Sequence, residues 1–170
     1  MHPYVAWALA LMTHLQPPAI TPWASTYETT ARAFVDAAEA APVYGGSDGV
    51  ARTLATDVAV AWFESRFDPE ATGDRGASIG LFQIARPFAP ADDLRAPARA
   101  AVVAQRLFLQ SFRICKGYPA LERLGWYADG GAGCGRTGGR GEAARAKSLH
   151  RLQLASRLLE DFPPPIPLFL

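Results

Sequence analysis

The sequence predicts a mainly α-helical α+β domain of about six helices, with a small β-hairpin or extended insert. Apolar residues recur at spacings of three and four in several stretches, which is the period of an amphipathic helix. Prolines and glycines stand between these stretches, where helices end. One short segment, residues 78–84, is instead rich in strand-forming residues and follows a turn-rich segment.

The first two helices are expected in the N-terminal quarter of the chain. We interpret the apolar stretch at residues 5–11 as a first core helix rather than an export signal, because no basic region precedes it and no clear small-residue cleavage site follows. The second helix is expected to begin at Ser25, where Glu28 completes a capping-box pattern. It should end near residue 41, before Pro42.

The third helix carries the residue of greatest interest. Asp48 is expected to cap it, and it must stop before Pro69, so Glu64 falls in its last turn, beside the predicted β insert. Three further helices, a glycine-rich loop and a non-helical proline-rich tail complete the prediction: helices at residues 94–114 (begun by Asp92 and Asp93), 119–129 and 142–160, the loop at 130–141 and the tail at 162–170.

Length and composition predict one domain. The chain of 170 residues is 49% apolar and 19% charged, with a net charge of +1, which is ordinary for a folded soluble protein. Residues 1–100 carry 7 basic and 11 acidic side chains, whereas residues 101–170 carry 10 and 5. The basic C-terminal part suits an anionic polymer, but no basic block interleaved with aromatics suggests nucleic acid. No apolar run approaches the roughly 18–20 residues of a membrane span, and we expect a monomer.

The cysteines and histidines do not predict a metal site. Two cysteines, Cys115 and Cys134, and three scattered histidines are too few and too dispersed for zinc. The sequence leaves two alternatives open for the cysteines, two buried thiols or a disulfide that closes the segment between two helices. We expect no cofactor.

Glu64 is unusual because of its neighbours. It follows Trp62 and Phe63 at the end of an apolar run, and a turn-rich loop comes next. A carboxyl group near aromatic side chains resists ionisation, so its pKa rises and it can donate a proton near neutral pH. The alternative interpretation is a solvated surface charge close to Arg66. Gln83, in the following apolar segment, is a candidate to hydrogen-bond a sugar or an amide.

Three segments together resemble the signature of the soluble lytic transglycosylase family. In that family a glutamate–serine pair ends a helix, an aromatic-x-proline follows, and a G-A-x-G-L-[MF]-Q-[IL] segment comes next. Residues 64–65, 67–69 and 76–84 match these three parts at around nine positions. The resemblance is clearest over residues 50–134 and implies a lysozyme-like fold spanning residues 1–170 as a single domain.

The chain departs from the family pattern in three places. The segment between Gly76 and Gly80 is one residue longer than the commonest spacing. The family's tyrosine-asparagine-alanine-glycine motif has a partial match in Tyr127 and Gly130, but Ala128 replaces the asparagine, a change for which the adjacent aspartate is a candidate substitute. The usual methionine-proline is replaced by the sequence Ala-Arg-Pro at residues 85–87.

The resemblance implies cleavage of the β-1,4 bond between N-acetylmuramic acid and N-acetylglucosamine in peptidoglycan. Glu64 would protonate the glycosidic oxygen and then deprotonate the muramic C6 hydroxyl, closing a 1,6-anhydro ring while the substrate's N-acetyl group stabilises the cationic carbon. Ser65 is expected to cap the helix or orient the glutamate. Ser78, Gln83 and Tyr127 are the other expected substrate-binding residues, and Tyr127 is also a candidate to orient Glu64.

Two alternatives to this reaction remain open. Most glycosidases use two carboxylates, so Asp74 facing Glu64 across a cleft would instead suggest a lysozyme-like muramidase that hydrolyses the bond. A glycan-binding or structural module without activity is the second alternative. Each version predicts that the protein contacts peptidoglycan strands of the bacterial cell wall, in the periplasm, at the cell surface or in a phage particle.

Overall fold

A computed structural model describes residues 1–130, 133–134 and 139–165 of the chain. The described residues form seven α-helices, joined by short 3-10 turns and irregular segments. The helices are α1 Pro3–Leu15, α2 Tyr27–Ala40, α3 Gly49–Ser65, α4 Ala91–Arg95, α5 Pro97–Ile114, α6 Gly125–Asp129 and α7 Gly139–Asp161.

A small antiparallel sheet follows α3. Its three two-residue strands, in spatial order, are β1 Thr72–Gly73, β2 Ser78–Ile79 and β3 Ile84–Ala85. Gly73 is opposite Ser78, and Ile79 is opposite Ile84. The predicted class, mainly α with a small β insert beside the helix that carries Glu64, is therefore confirmed.

Helix α3 is the central element of the core. It contacts α1, α2 and α7, while α5 packs against α2. Much of α3 is buried, and many of its buried residues are alanine, which lets neighbouring helices approach closely. Phe82 of the β2–β3 turn is buried between Phe34 of α2 and Phe108 of α5, so the sheet is attached to the helical core. Within the described ranges, no helix has the length and apolar character needed to cross a membrane.

The predicted capping box at Ser25 is wrong. Residues Ala24–Thr26 form a 3-10 turn, and α2 begins two residues later, at Tyr27, with no side-chain cap. Glu28 instead pairs with Arg32 one turn along the helix, at 3.1 Å. Asp48 does precede α3 as predicted, but its side chain makes no capping hydrogen bond.

The helix predicted over residues 94–114 is two helices. Ala96 adopts an extended conformation between α4 and α5, with φ −78° and ψ 113°. Pro97 explains the break, because its ring disfavours helical geometry at the preceding residue and suits the first position of the next helix. The helix predicted over residues 119–129 is likewise divided, into a 3-10 turn at Ala120–Glu122 and α6.

Residues 78–84 form two strands and a tight turn rather than one extended segment. Gly80 has φ +76°, and a β-carbon there would overlap the backbone oxygen of Leu94. Glycine is therefore required where β2 turns toward β3. Gln83, at the end of the turn, also has a positive φ of 47°.

The C-terminal predictions are partly outside the described residues. Gly139 and Gly141 of the predicted 130–141 loop belong to α7, while residues 131–132 and 135–138 are not among those described. Residues 163–165 of the tail are not helical, and residues 166–170 are again outside the described part. The carbonyl of Phe162 accepts a hydrogen bond from the Trp7 indole at 2.9 Å, which joins the end of α7 to α1.

Cys115 and Cys134 form a disulfide, the second of the two alternatives left open by the sequence. Their Cα atoms are 5.3 Å apart, and the bond links the end of α5 to the segment between α6 and α7. Cys115 itself is buried.

Candidate active site

A cleft of about 520 Å³ is lined by residues of the β-sheet, α6 and α7 and by Glu64 at the end of α3. The predicted residues Glu64, Ser78, Gln83 and Tyr127 all line it, as does Asp74. Ser65 is not among the lining residues. The other lining residues are Gly73, Ile84, Ala85, Phe88, Leu107, Trp126, Ala128, Asp129, Gly130, Lys147 and Arg151.

Glu64 lies in the last turn of α3, as predicted. The helix ends because Arg66 and Phe67 both adopt left-handed conformations, with φ of 56° and 64°. The Arg66 guanidinium stacks over the Trp62 ring at 3.6 Å, so it does not pair with Glu64. Only 19% of the Glu64 side chain is exposed, which argues against the alternative of a solvated surface charge.

The partner of Glu64 is Arg151, from the middle of α7. An Nη2 group of Arg151 donates to Oε1 of Glu64, and the arginine side chain is only 8% exposed. Burial raises the pKa of Glu64, and the nearby Asp74 carboxylate adds a smaller upward contribution. The charges of Arg151 and Lys147 lower it, but burial outweighs them, so the pKa stays above the ordinary value of a glutamate.

The sheet side of the cleft is internally hydrogen-bonded. Ser78 Oγ donates to Asp74 Oδ2 at 2.8 Å. The Gln83 amide nitrogen donates to the carbonyls of Ala71 and Gly80, both at 3.1 Å. The amide of Gln83 therefore fixes the β2–β3 turn, and its oxygen is the atom still available to a ligand.

Neither Ser65 nor Tyr127 binds Glu64. The Ser65 hydroxyl donates to the carbonyls of Ala61 and Leu81, at 3.1 and 2.9 Å, so it joins α3 to the β2–β3 turn. The Tyr127 hydroxyl donates to the carbonyl of Phe82 in the same turn. Burial raises the pKa of Tyr127 well above its usual range, and the Glu64 charge contributes in the same direction. Of the alternatives expected for these two residues, a direct hydrogen bond from either hydroxyl to Glu64 is not formed, because both hydroxyls are bonded to turn carbonyls.

Asp129 and Trp126 of α6 line the cleft together with Phe88, which lies in the 3-10 turn after β3. The Asp129 carboxylate, the candidate substitute for the asparagine that Ala128 replaces, pairs with Arg140 at 3.0 and 3.3 Å and is therefore already engaged. Trp126 lies edge-on to Phe88, with ring centroids 6.3 Å apart, and Phe88 is 44% exposed. Exposed aromatic faces of this kind are suited to stacking on sugar rings.

A further buried carboxylate, Asp57, lies two turns before Glu64 on α3. Both of its oxygens are close to the Gln105 amide nitrogen of α5, at 2.8 and 2.6 Å. Burial raises the pKa of Asp57 well above its usual range, and the Gln105 hydrogen bond only partly opposes this. Asp57 does not line the cleft, so we assign it to the core rather than to the site.

The sequence did not lead us to predict Arg151 and Lys147 as residues of the site. A signal for Arg151 exists, because the buried face of α7 follows positions 144, 148, 151, 155 and 158, and the arginine falls on that face. An arginine at a buried helical position requires a partner, most often a carboxylate. Helical spacing alone does not identify which carboxylate, since Glu64 is 87 residues away in the chain.

Comparison with family models, curated proteins and solved structures finds no match to this chain. The description of the site therefore depends on the residues themselves. Across the described part of the chain, no group of three or more histidine, cysteine, aspartate or glutamate side chains is placed to bind a metal ion.

Proposed function

We propose that this protein is a peptidoglycan lytic transglycosylase that cleaves the bond between N-acetylmuramic acid and N-acetylglucosamine. Glu64 is its single acid and base, and 1,6-anhydro-muropeptides are its products. The observation that carries the proposal is the position of Glu64, a mostly buried carboxyl that lines an open cleft, with its pKa raised by burial.

Each step of the reaction needs one property of this carboxyl. A raised pKa favours the protonated form, which donates to the glycosidic oxygen of the leaving sugar. The resulting carboxylate then accepts the proton of the C6 hydroxyl, whose oxygen forms the new bond to the anomeric carbon. Without a ligand, the Arg151 guanidinium donates to Oε1 of this carboxyl, a contact that favours the ionised form.

The roles of the other groups support an elongated sugar ligand. Phe88 and Trp126 offer aromatic surface in the cleft, which Gln83 also lines, and the Gln83 amide oxygen accepts no hydrogen bond from the described residues. Sites for sugars and other small ligands combine such apolar surface with a few placed polar groups.

Mass spectrometry of a peptidoglycan digest tests the proposal. The protein is incubated with purified peptidoglycan beside Glu64→Gln, and beside Glu160→Gln as a control glutamate that is exposed near the end of α7. We expect products one water lighter than those of a muramidase from the unsubstituted protein and from the control, and none from Glu64→Gln. Release of products by Glu64→Gln at an undiminished rate would contradict the assignment.

Asp74 supports hydrolysis as a second candidate. It lines the same cleft, and its charge acts on Glu64. A muramidase would release ordinary reducing-end products and would lose activity in Asp74→Asn. A transglycosylase should retain most of its activity in that variant, because Asp74 then serves mainly as the acceptor for Ser78.

The Arg151 contact supports a third candidate, a glycan-binding module without activity. A permanent ion pair would keep Glu64 ionised and unable to donate a proton. Binding of peptidoglycan by both the unsubstituted protein and Glu64→Gln, with no released product from either, would favour this candidate over both enzymes.

A further inference from the structure

Two cations of α7 face the cleft one helical turn apart. Lys147 and Arg151 are four residues apart on the same helix face and both line the cleft. Lys147 is exposed, and no ion pair of the described residues involves it. This side of the cleft therefore offers positive charge where a ligand would lie.

The ion pair of Arg151 leaves much of its guanidinium unsatisfied. Its Nη2 contacts Glu64, but Nε and Nη1 are buried and have no hydrogen-bond partner among the described residues. Buried N–H groups without partners cost free energy, and a guanidinium is best satisfied by a carboxylate that binds two of its nitrogens. The contact with Glu64 alone therefore satisfies only part of the hydrogen-bonding capacity of the Arg151 guanidinium.

The other carboxylates of the cleft are engaged elsewhere. Asp74 accepts from Ser78 on the sheet side, and Asp129 pairs with Arg140. Neither carboxylate has a hydrogen bond or ion pair with Lys147 or Arg151. An additional anion is therefore the chemical group that the α7 side of the cleft still lacks.

We propose that Lys147 and Arg151 form a subsite for a carboxylate of the substrate, and that this carboxylate replaces Glu64 as the partner of Arg151. The inference rests on the proposed function, because it describes which glycan the same cleft prefers. When Arg151 turns to the substrate, Glu64 loses the cation that most favours its ionised form and retains the proton that it must donate. The substrate would thereby prepare the acid that cleaves it.

Peptidoglycan offers two sources of this chemistry. One is the lactyl carboxylate of muramic acid in glycan that carries no peptide. The other is a carboxylate of the stem peptide, when the lactyl group is bound in an amide. Both present an anion beside the sugar that Glu64 would act on, and the experiment below separates them.

The first experiment measures binding by calorimetry to Glu64→Gln, which should not consume the ligand. Three glycans of equal length are compared: a neutral N-acetylglucosamine oligomer, a peptide-free glycan with free lactyl carboxylates, and a glycan with stem peptides. We expect at least one carboxylated glycan to bind about tenfold more tightly than the neutral oligomer. Preference for the peptide-free glycan identifies the lactyl group, and preference for the peptide-bearing glycan alone identifies the stem peptide.

The double variant with Lys147→Gln and Glu64→Gln tests whether Lys147 contributes to the subsite. Lys147 is exposed, so its substitution should not affect folding. The preference for carboxylated glycan should fall several-fold in this variant and stay unchanged when Arg157→Gln, an exposed arginine of the same helix, is added instead. Equal binding of all three glycans, or a preference that survives Lys147→Gln in full, overturns the subsite.

A monosaccharide tests whether Glu64 competes with the ligand for Arg151. N-acetylmuramic acid contains no glycosidic bond to cleave, so it can be compared on the unsubstituted protein and on Glu64→Gln. We expect about tenfold tighter binding to Glu64→Gln and no difference for the neutral methyl ester. Equal affinity of the acid for the two proteins overturns the replacement of Glu64.

The subsite and the proposed function fail in different ways. Cleavage of peptidoglycan with no preference for carboxylated glycan overturns the subsite and leaves the reaction in place. Preference that depends on Lys147, without any cleavage by the unsubstituted protein, retains the subsite and overturns the reaction. Absence of glycan binding and of cleavage overturns both.

Discussion

Removal of Arg151 should make the stability of the protein depend on pH in a defined direction. Arg151→Met retains the aliphatic part of the side chain and removes the charge beside Glu64. Loss of one partner of a fully buried ion pair costs about 3–5 kcal/mol. The Glu64 side chain is 19% exposed and faces the cleft. We therefore expect a loss of stability at the lower end of this range, about 3 kcal/mol near neutral pH.

The sign of the pH dependence follows from the pKa of Glu64. Burial already raises this pKa in the folded protein, and Arg151 is the strongest influence that lowers it. Its removal raises the folded pKa further above the value of about 4.3 in the unfolded chain. The folded variant therefore binds the Glu64 proton more readily than the unfolded chain does, so the contribution of Glu64 to its stability is fully present below about pH 4 and is lost as pH rises through the folded pKa.

Urea denaturation followed by tryptophan fluorescence measures this effect over a pH series. Arg151→Met, Glu64→Gln and the double variant form a cycle with the unsubstituted protein. Near neutral pH we expect the double variant to be more stable than Arg151→Met alone, because no carboxylate is then left without a partner. A cost for Arg151→Met that is the same at every pH, and that simply adds to the cost of Glu64→Gln, would refute the ion-pair reasoning and leave only packing.

Three other substitutions address the interior and the turn beside the site. Asp57→Asn should raise stability near neutral pH by about 1 kcal/mol or more and leave it unchanged below about pH 4, because burial raises the pKa of Asp57 and its ionisation opposes folding. Tyr127→Phe should cost about 1–3 kcal/mol, because the buried carbonyl of Phe82 loses its donor. Ser65→Ala should cost about 1 kcal/mol, since the hydroxyl bonds the Leu81 carbonyl at 2.9 Å.

The same denaturation assay measures all three, with matched controls for the last two. Tyr118→Phe removes a tyrosine hydroxyl that makes no hydrogen bond to the described residues, and Ser156→Ala removes a bond to Leu152 within α7 alone. Both controls should cost less than their counterparts. A loss of stability in Asp57→Asn at neutral pH would show that the core needs the ionised carboxylate. If the two controls lose as much stability as Tyr127→Phe and Ser65→Ala, the hydrogen bonds to the turn carbonyls do not contribute to stability.

Local signals explain why much of the fold was predictable. The end of α3 was correctly placed because Pro69 and the turn residues after it limit the helix, and Glu64 therefore fell in the last turn. The errors arose where one local signal overruled another. Pro97 ended a helix that apolar periodicity alone would have continued. Gly80 turns residues 78–84 into a hairpin, which is one of the two forms expected for the insert.

The partners of the site residues were not predictable in the same way. Glu64 and Arg151 are 87 residues apart, and Tyr127 bonds a carbonyl 45 residues away. Such contacts depend on how α6 and α7 pack against the sheet and α3, which periodicity does not specify. The sequence left a desolvated carboxyl and a solvated surface charge as alternatives for Glu64, and only the packing of α7 shows that a cation opposes the effect of burial on its pKa.

Three of the predicted substrate-binding residues have a common structural task, which changes how their substitution should be interpreted. Ser65, Tyr127 and the amide nitrogen of Gln83 all donate to backbone carbonyls in or beside the β2–β3 turn. These bonds attach the turn to α3, to α6 and to the loop before β1. They therefore fix the sheet side of the cleft relative to Glu64, which lines the same cleft. A loss of activity in these variants would therefore indicate a displaced turn. It would indicate a lost substrate contact only if the free energy of substrate binding weakened by more than the free energy of unfolding.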